Sequence, residues 1–145
     1  MIMMQLLLSF MASALFGIIF NIPPRLLPHS GFVGMSGWAA YMFAFRSGAD
    51  GVIATFMASF FVAFLSNAFA RRYRAPATIF IVPGVLPLVP GGTAFEAMRH
   101  VVMNDYNTAI ALAAKALMIS GAIAMGLIFS EVVNQLATRR RHSSR

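Results

Sequence analysis

From Met1 to Pro24 the chain carries no charged side chain, and from Ile2 to Ile22 almost every residue is apolar. At ~1.5 Å per residue, a helix over residues 2–22 covers about 30 Å, the thickness of a bilayer's hydrocarbon core. Such a run narrows the choice of fold, because lipid offers no partner to a backbone N–H or C=O and a helix satisfies both internally. Comparable runs recur at residues 31–45, 51–70, 77–92 and 109–129. The chain is 59% hydrophobic and 10% charged, against roughly 25% charged in a soluble domain. The sequence therefore predicts an all-α integral membrane protein with about five transmembrane helices. They form a single domain, residues 1–137, followed by a basic, unstructured tail, 138–145. The second run is short and glycine-rich, so four crossings plus a re-entrant segment is the alternative. The first run lacks a basic leader and continues past any cleavage site, so it reads as a retained span.

Charge sets the orientation. The net charge of +7 comes from arginines in short clusters between apolar runs, which points to loops beside a membrane rather than to a nucleic-acid face. With five spans and the N-terminus outside, the cytoplasmic side holds Arg25, Arg71, Arg72, Arg74, Arg139, Arg140, Arg141 and Arg145. The outer loops hold only Arg46 and Arg99. This bias predicts a multi-pass membrane protein with its C-terminus in the cytoplasm. There is no cysteine, and His29, His100 and His142 lie far apart. No catalytic triad, metal-ligand spacing or phosphate loop stands out, so neither enzyme activity nor a cofactor or metal is expected.

The fourth run, "IFIVPGVLPLVPGG" (Ile79–Gly92), is apolar enough for lipid yet carries three prolines and three glycines. Prolines at 83, 87 and 90 remove three amide donors, which predicts that the carbonyls of Ile79, Pro83 and Leu86 lose their helical partners. In lipid such groups cost several kcal/mol each, so the segment must be wrapped in protein or line a watery cavity. Secondary transporters bind solutes at interrupted helices of this kind. Thr93 and Glu96 have the spacing of a capping box, which predicts a surface helix over about 94–103, with Phe95, Met98 and Val102 on its apolar face. The amides at Gly91 and Gly92 would then receive a carboxylate. Candidate substrate-binding residues are Pro83, Gly84, Pro87, Pro90, Gly91, Gly92, Thr93 and Lys115. Lys115 either snorkels or pairs with Glu96, Asp105 or a substrate carboxylate. Asn21, Asn67 and Glu96 are candidates for the pathway or for coupling, with capping or interhelical hydrogen bonding as the plainer role of the asparagines. Asn107 reads as the N-cap of the last helix. Ser9, Ser13, Gly17 and Asn21 form one four-residue stripe and Thr55, Ser59, Ala63 and Asn67 another, both suited to close helix packing. Trp38 and Tyr41 read as packing residues.

The stretches "FNIPPRLLPHSGFVGMSGW" (Phe20–Trp38), "ATFMASFFVAF" (Ala54–Phe64) and "PATIFIVPGVLPLVPGGTAFEAM" (Pro76–Met98) resemble the small subunit of the threonine/serine exporter family. The resemblance runs from about Phe16 to Leu136. It implies a two-component secondary exporter of small carboxylates: threonine/serine-type amino acids, or C4-dicarboxylates such as succinate, which one split pair is associated with. It also implies a larger membrane subunit as partner, beginning in the cytoplasm. A holin-like pore-former or a non-transporting accessory subunit are the alternatives; three prolines in one span fit the former poorly.

Overall fold

The computed structural model describes the backbone of residues 1–142 and the side chains of residues 1–140; the last three residues of the expected tail lie outside it. Among the described residues there are six α-helices and no strand. They are α1 (Ile2–Ile19), α2 (Leu27–Arg46), α3 (Gly51–Tyr73), α4 (Thr78–Val85), α5 (Gly91–Val102) and α6 (Tyr106–His142), with a 3-10 turn, Leu86–Leu88, between α4 and α5. The protein is an all-α membrane protein. Helices α1, α3 and α6 are long and apolar enough to cross a bilayer, and the α4–turn–α5 unit, bent by 47°, makes a fourth crossing if taken as one broken span.

Local chemistry accounts for the helix ends. Four turns share one device, a left-handed residue after the helix whose successor donates back to the carbonyl five residues earlier. Asn21 (φ 54°), Gly48 (φ 94°), Arg74 (φ 52°) and Asn104 (φ 61°) are those residues. The returning bonds run from Ile22 to Gly17, Ala49 to Ala44, Ala75 to Ala70 and Asp105 to His100. At the other ends, the Asp50 carboxylate accepts the Val52 amide at 3.2 Å. Asp105, rather than the expected Asn107, caps α6 by accepting the Thr108 amide at 3.4 Å.

Helix α2 is longer than the fifteen residues expected, because Pro28 sits in its first turn, where a missing N–H costs no helical bond. At twenty residues it is about 30 Å long. Its glycines and Ser30 are buried, and it packs against α1, α3 and α4 at the centre of the bundle. Ser9, Ser13 and Gly17 of the α1 stripe are buried and meet α2 in antiparallel register, with Ser13 against Gly34 and Gly17 against Ser30. On α3, Thr55, Ser59 and Ala63 are buried as a stripe, but Ser66 takes the place expected for Asn67.

Helices α3 and α6 run parallel. Gly126 sits on the α3 backbone at Phe56–Phe60, the Ser59 hydroxyl reaches the Ala122 carbonyl at 3.5 Å, and the Arg71 guanidinium donates to Asn134 and Thr138. Helix α6 makes this seam from about Ala122 onward, and its earlier turns pair with α5 in an antiparallel hairpin. Helix α6 continues through the region expected to be an unstructured tail, as far as His142.

Candidate functional site: the broken span

The break begins at mid-depth in the bundle. Gly84 lies between Val33 of α2 and Val62 of α3, both wholly buried, so the absence of a side chain lets α4 approach two helices at once. Pro83, one residue earlier, lies inside the regular part of α4.

The break leaves fewer bare carbonyls than its three prolines suggest. The Leu86 amide returns to the Pro83 carbonyl, and the Val89 amide donates to the Leu86 carbonyl at 3.2 Å. Tightening from α-type to 3-10-type bonding recovers two of the three acceptors expected to be orphaned. Helix α5 then starts at Gly91, not Ala94, with Pro90 in the capping position and no side-chain cap. The capping box is not formed: Thr93 falls inside the first turn, and Glu96 pairs with Arg99 at 3.6 Å. The Gly91 amide turns back to Val89 and the Ala94 amide to Pro90. The amides of Gly92 and Thr93, in the first turn of α5, make no backbone hydrogen bond among the described residues.

The three prolines face three different recesses. Pro83, with Thr78 and Val82, meets Phe20 and Ile22 in a recess of about 180 Å³. Pro87 meets Gln5, Ser9 and Trp38 in one of about 300 Å³. Pro90 and Gly91 meet Ala116, Leu117 and Ser120 of α6 in one of about 500 Å³. The expected binding residues are thus neighbours along the chain that look out on opposite sides of the break. Gly92, Thr93, Glu96 and Lys115 line none of these recesses.

Lys115 is exposed on α6 and makes no ion pair among the described residues. Its expected partners are engaged elsewhere. Glu96 faces Arg99, and Asp105 lies 3.2 Å from His100 Nδ1, within ion-pair reach though off the line of a hydrogen bond. The hydroxyl and amide of Thr108, then the nearby His100, hold the Asp105 carboxyl below its usual value of 3.8. Asn21 is exposed and serves as the left-handed cap of α1; Asn67 donates to the Ala63 carbonyl of its own helix at 3.0 Å. Asn21 therefore has the plainer capping role, whereas the Asn67 bond lies within α3 and is neither a cap nor an interhelical bond.

Of two residues beside Pro87, Gln5 escapes the sequence reading and Trp38 is read there only as a packing residue. Gln5 lies one turn before Ser9 and extends the Ser9–Ser13–Gly17 stripe by a further four residues, which is the signal that could have found it. Trp38 stacks on Tyr41 with ring centres 5.2 Å apart, as a packing residue would, yet its indole N–H is buried without a partner among the described residues. No local pattern places it beside Pro87.

A family model described as Threonine/Serine exporter, ThrE matches residues 5–133. No solved structure matches the chain.

Proposed function

From the premise that this chain belongs to the threonine/serine exporter family, we propose that it is the small membrane subunit of a two-component secondary exporter of small carboxylates. Threonine- and serine-type amino acids are the first solutes and C4-dicarboxylates such as succinate the second. The partner is a larger membrane subunit of the same family. What supports a direct part in transport is the break at Pro83–Pro90, which begins at mid-depth and is flanked by recesses on more than one side. A regular helix has all its backbone polar groups engaged; an interrupted one presents some of them where a solute can reach. The Gly92 and Thr93 amides at the start of α5 are available to a carboxylate.

The proposed setting is a bacterial inner membrane with the N-terminus outside and the C-terminus in the cytoplasm. Helices α1, α3 and α6 run in one direction, so Arg25, Arg71, Arg72, Arg74, Arg139 and Arg140 gather at one end of the bundle, the end the positive-inside rule assigns to the cytoplasm. Coupling to the proton gradient would use Glu96, the acid nearest the break. The test is efflux of labelled threonine, serine and succinate from vesicles containing this chain, the larger subunit, or both. Efflux of one solute only when both are present is the expected result. Equal efflux with the larger subunit alone would reduce this chain to an accessory.

A further inference from the structure

Helices α2 and α3 fix where the hydrocarbon core lies. Arg46 and Asp50 mark one edge, and Arg25, Arg71, Arg72 and Arg74 mark the other. Between them the apolar run of α3, Gly51 to Ala70, rises about 30 Å at ~1.5 Å per residue, the thickness of that core. Helix α6 does not share this register. Gly126 sits against Phe56–Phe60, a contact centred on Ala58. Gly51 lies about seven residues before that centre, so in the parallel α6 its level falls near Ile119. At the other end Arg71 reaches Asn134 and Thr138, in keeping with that alignment. The turns from Tyr106 to Met118 therefore rise about 20 Å beyond the edge that α2 and α3 define, whereas the headgroup zone extends only about 5–8 Å. Helix α5 goes with them. It starts level with the edge, where Pro90 and Gly91 meet Ala116, Leu117 and Ser120. From there it runs outward along α6, and it packs substantially on no other helix.

This projection is apolar and uncovered. Phe95, Met98, Val102, Tyr106 and Ile110 are each more than half exposed, and from Gly91 to Met118 only Ala97 and Ala109 are buried. Apolar surface of this extent, beyond the reach of lipid tails, marks a contact with protein. Charge decides which protein. Lys115 stands about 6 Å beyond the edge, exposed and without an ion pair among the described residues. Covering its ammonium group requires a carboxylate. A second copy of this chain has none to give, because its four acids are committed. Asp50 caps α3, Glu96 faces Arg99, and Asp105 caps α6 and faces His100. Glu131 lies toward the opposite edge, where it accepts from Gln135. Two copies related by an axis along the membrane normal would also bring like ammonium groups to one depth. We propose that the α5–α6 projection is the docking surface for a different chain, one that presents an apolar helix face and a carboxylate at the level of Lys115. This rests on the two-component reading above, in which that chain is the larger subunit.

The chain has no cysteine, so single cysteines report on this surface without background from this chain. Val102→Cys samples the projection. Ser47→Cys, exposed in the α2–α3 turn, samples the same edge away from it. Both are treated with a water-soluble maleimide in open membrane sheets, with this chain alone and with the larger subunit co-expressed. The expected result is that both react in the chain alone, and that the larger subunit slows Val102→Cys severalfold while leaving Ser47→Cys unchanged. Lys115→Glu should cut the amount of larger subunit that co-purifies severalfold, and Lys115→Arg should retain it. A Val102→Cys that stays unreactive in the chain alone, while Ser47→Cys reacts, would give the surface to lipid or to a second copy, which crosslinking tells apart, and would overturn the proposal. Association of the two chains with Val102→Cys still fully reactive would put the interface elsewhere and leave the two-component reading intact. Co-purification indifferent to Lys115→Glu would overturn the carboxylate. Absence of any association between the two chains would remove the two-component reading, and the docking surface with it.

Discussion

Gly84→Ala adds one carbon where the structure has least room. The new Cβ would stand 2.7 Å from Val33 Cγ1 and 3.0 Å from Val62 Cγ1, so one neighbour must retreat by about 1 Å to reach ordinary contact near 3.5–4.0 Å. Neither valine yields easily: both are wholly buried, and β-branched side chains are held to one rotamer in a helix. Overpacking of this kind costs ~1–3 kcal/mol. Alanine's better helix propensity offsets about 1 kcal/mol of that. The net loss is ~0–2 kcal/mol, at its upper end about a thirtyfold fall in the folded ratio. Gly91→Ala is the matched control, since nothing lies within 4 Å of the Cβ it adds. Reversible unfolding in mixed micelles, followed by Trp38 emission, measures both. The double variant Gly84→Ala with Val33→Ala should then be less damaged than the two single losses predict, because trimming Val33 makes the missing space. Equal stability of the Gly84 and Gly91 variants, or strict additivity in the double variant, would refute the close packing of the break.

Three further outcomes follow from the geometry. Gly126→Ala should destabilise at least as much as Gly84→Ala, because its Cβ meets the Phe56 carbonyl at 2.8 Å and the Phe60 amide at 3.0 Å, and backbone cannot rotate away as a side chain can; the same unfolding assay decides it. Asn21→Gly should keep both stability and threonine efflux, whereas Asn21→Ala should lose ~1 kcal/mol from its left-handed backbone. Loss of efflux in a stable Asn21→Gly protein would instead give the amide a direct part in transport. The Asp105 carboxyl titrates below its usual 3.8 in the folded chain, so its capping contribution is complete above that value. It is lost as the pH falls from 3.8 through the lowered value. Hydrogen exchange at the Thr108 amide should show an acid opening in the unsubstituted protein that Asp105→Asn abolishes, and its persistence in the variant would assign the opening to another group.

Features set within a turn or two of chain were legible in the sequence, and features set by contacts between distant helices were not. The Ser9–Ser13–Gly17 stripe announced the α1–α2 seam because four-residue spacing is a property of the helix itself. Proline showed where the fourth run breaks, but not how completely the break heals. The Leu86 and Val89 amides recapture carbonyls by bonding three residues back, a choice the proline pattern does not dictate. Thr93 and Glu96 had the right spacing for a cap, yet Pro90 starts the helix earlier, its fixed φ and missing N–H suiting a helix entrance. The site was the least legible part. The family model and the broken span pointed to transport, but nothing local says that Pro83, Pro87 and Pro90 look into separate recesses. Nor does anything local bring Gln5 and Trp38, thirty-three positions apart, to the same proline.

Helix α6 has a mechanical consequence. Its thirty-seven residues make a rod of about 55 Å, nearly twice the ~30 Å of a hydrocarbon core. The rod is anchored to α3 from about Ala122 onward, most tightly at Gly126, and carries α5 on its earlier turns. Gly126 is therefore a fulcrum. The arm from there to Tyr106 is roughly 30 Å at ~1.5 Å per residue, so a tilt of ten degrees sweeps its far end by about 5 Å. Because α5 rides on that arm and is joined to the turn at Leu86–Leu88 by only two residues, such a tilt would pull directly on the break.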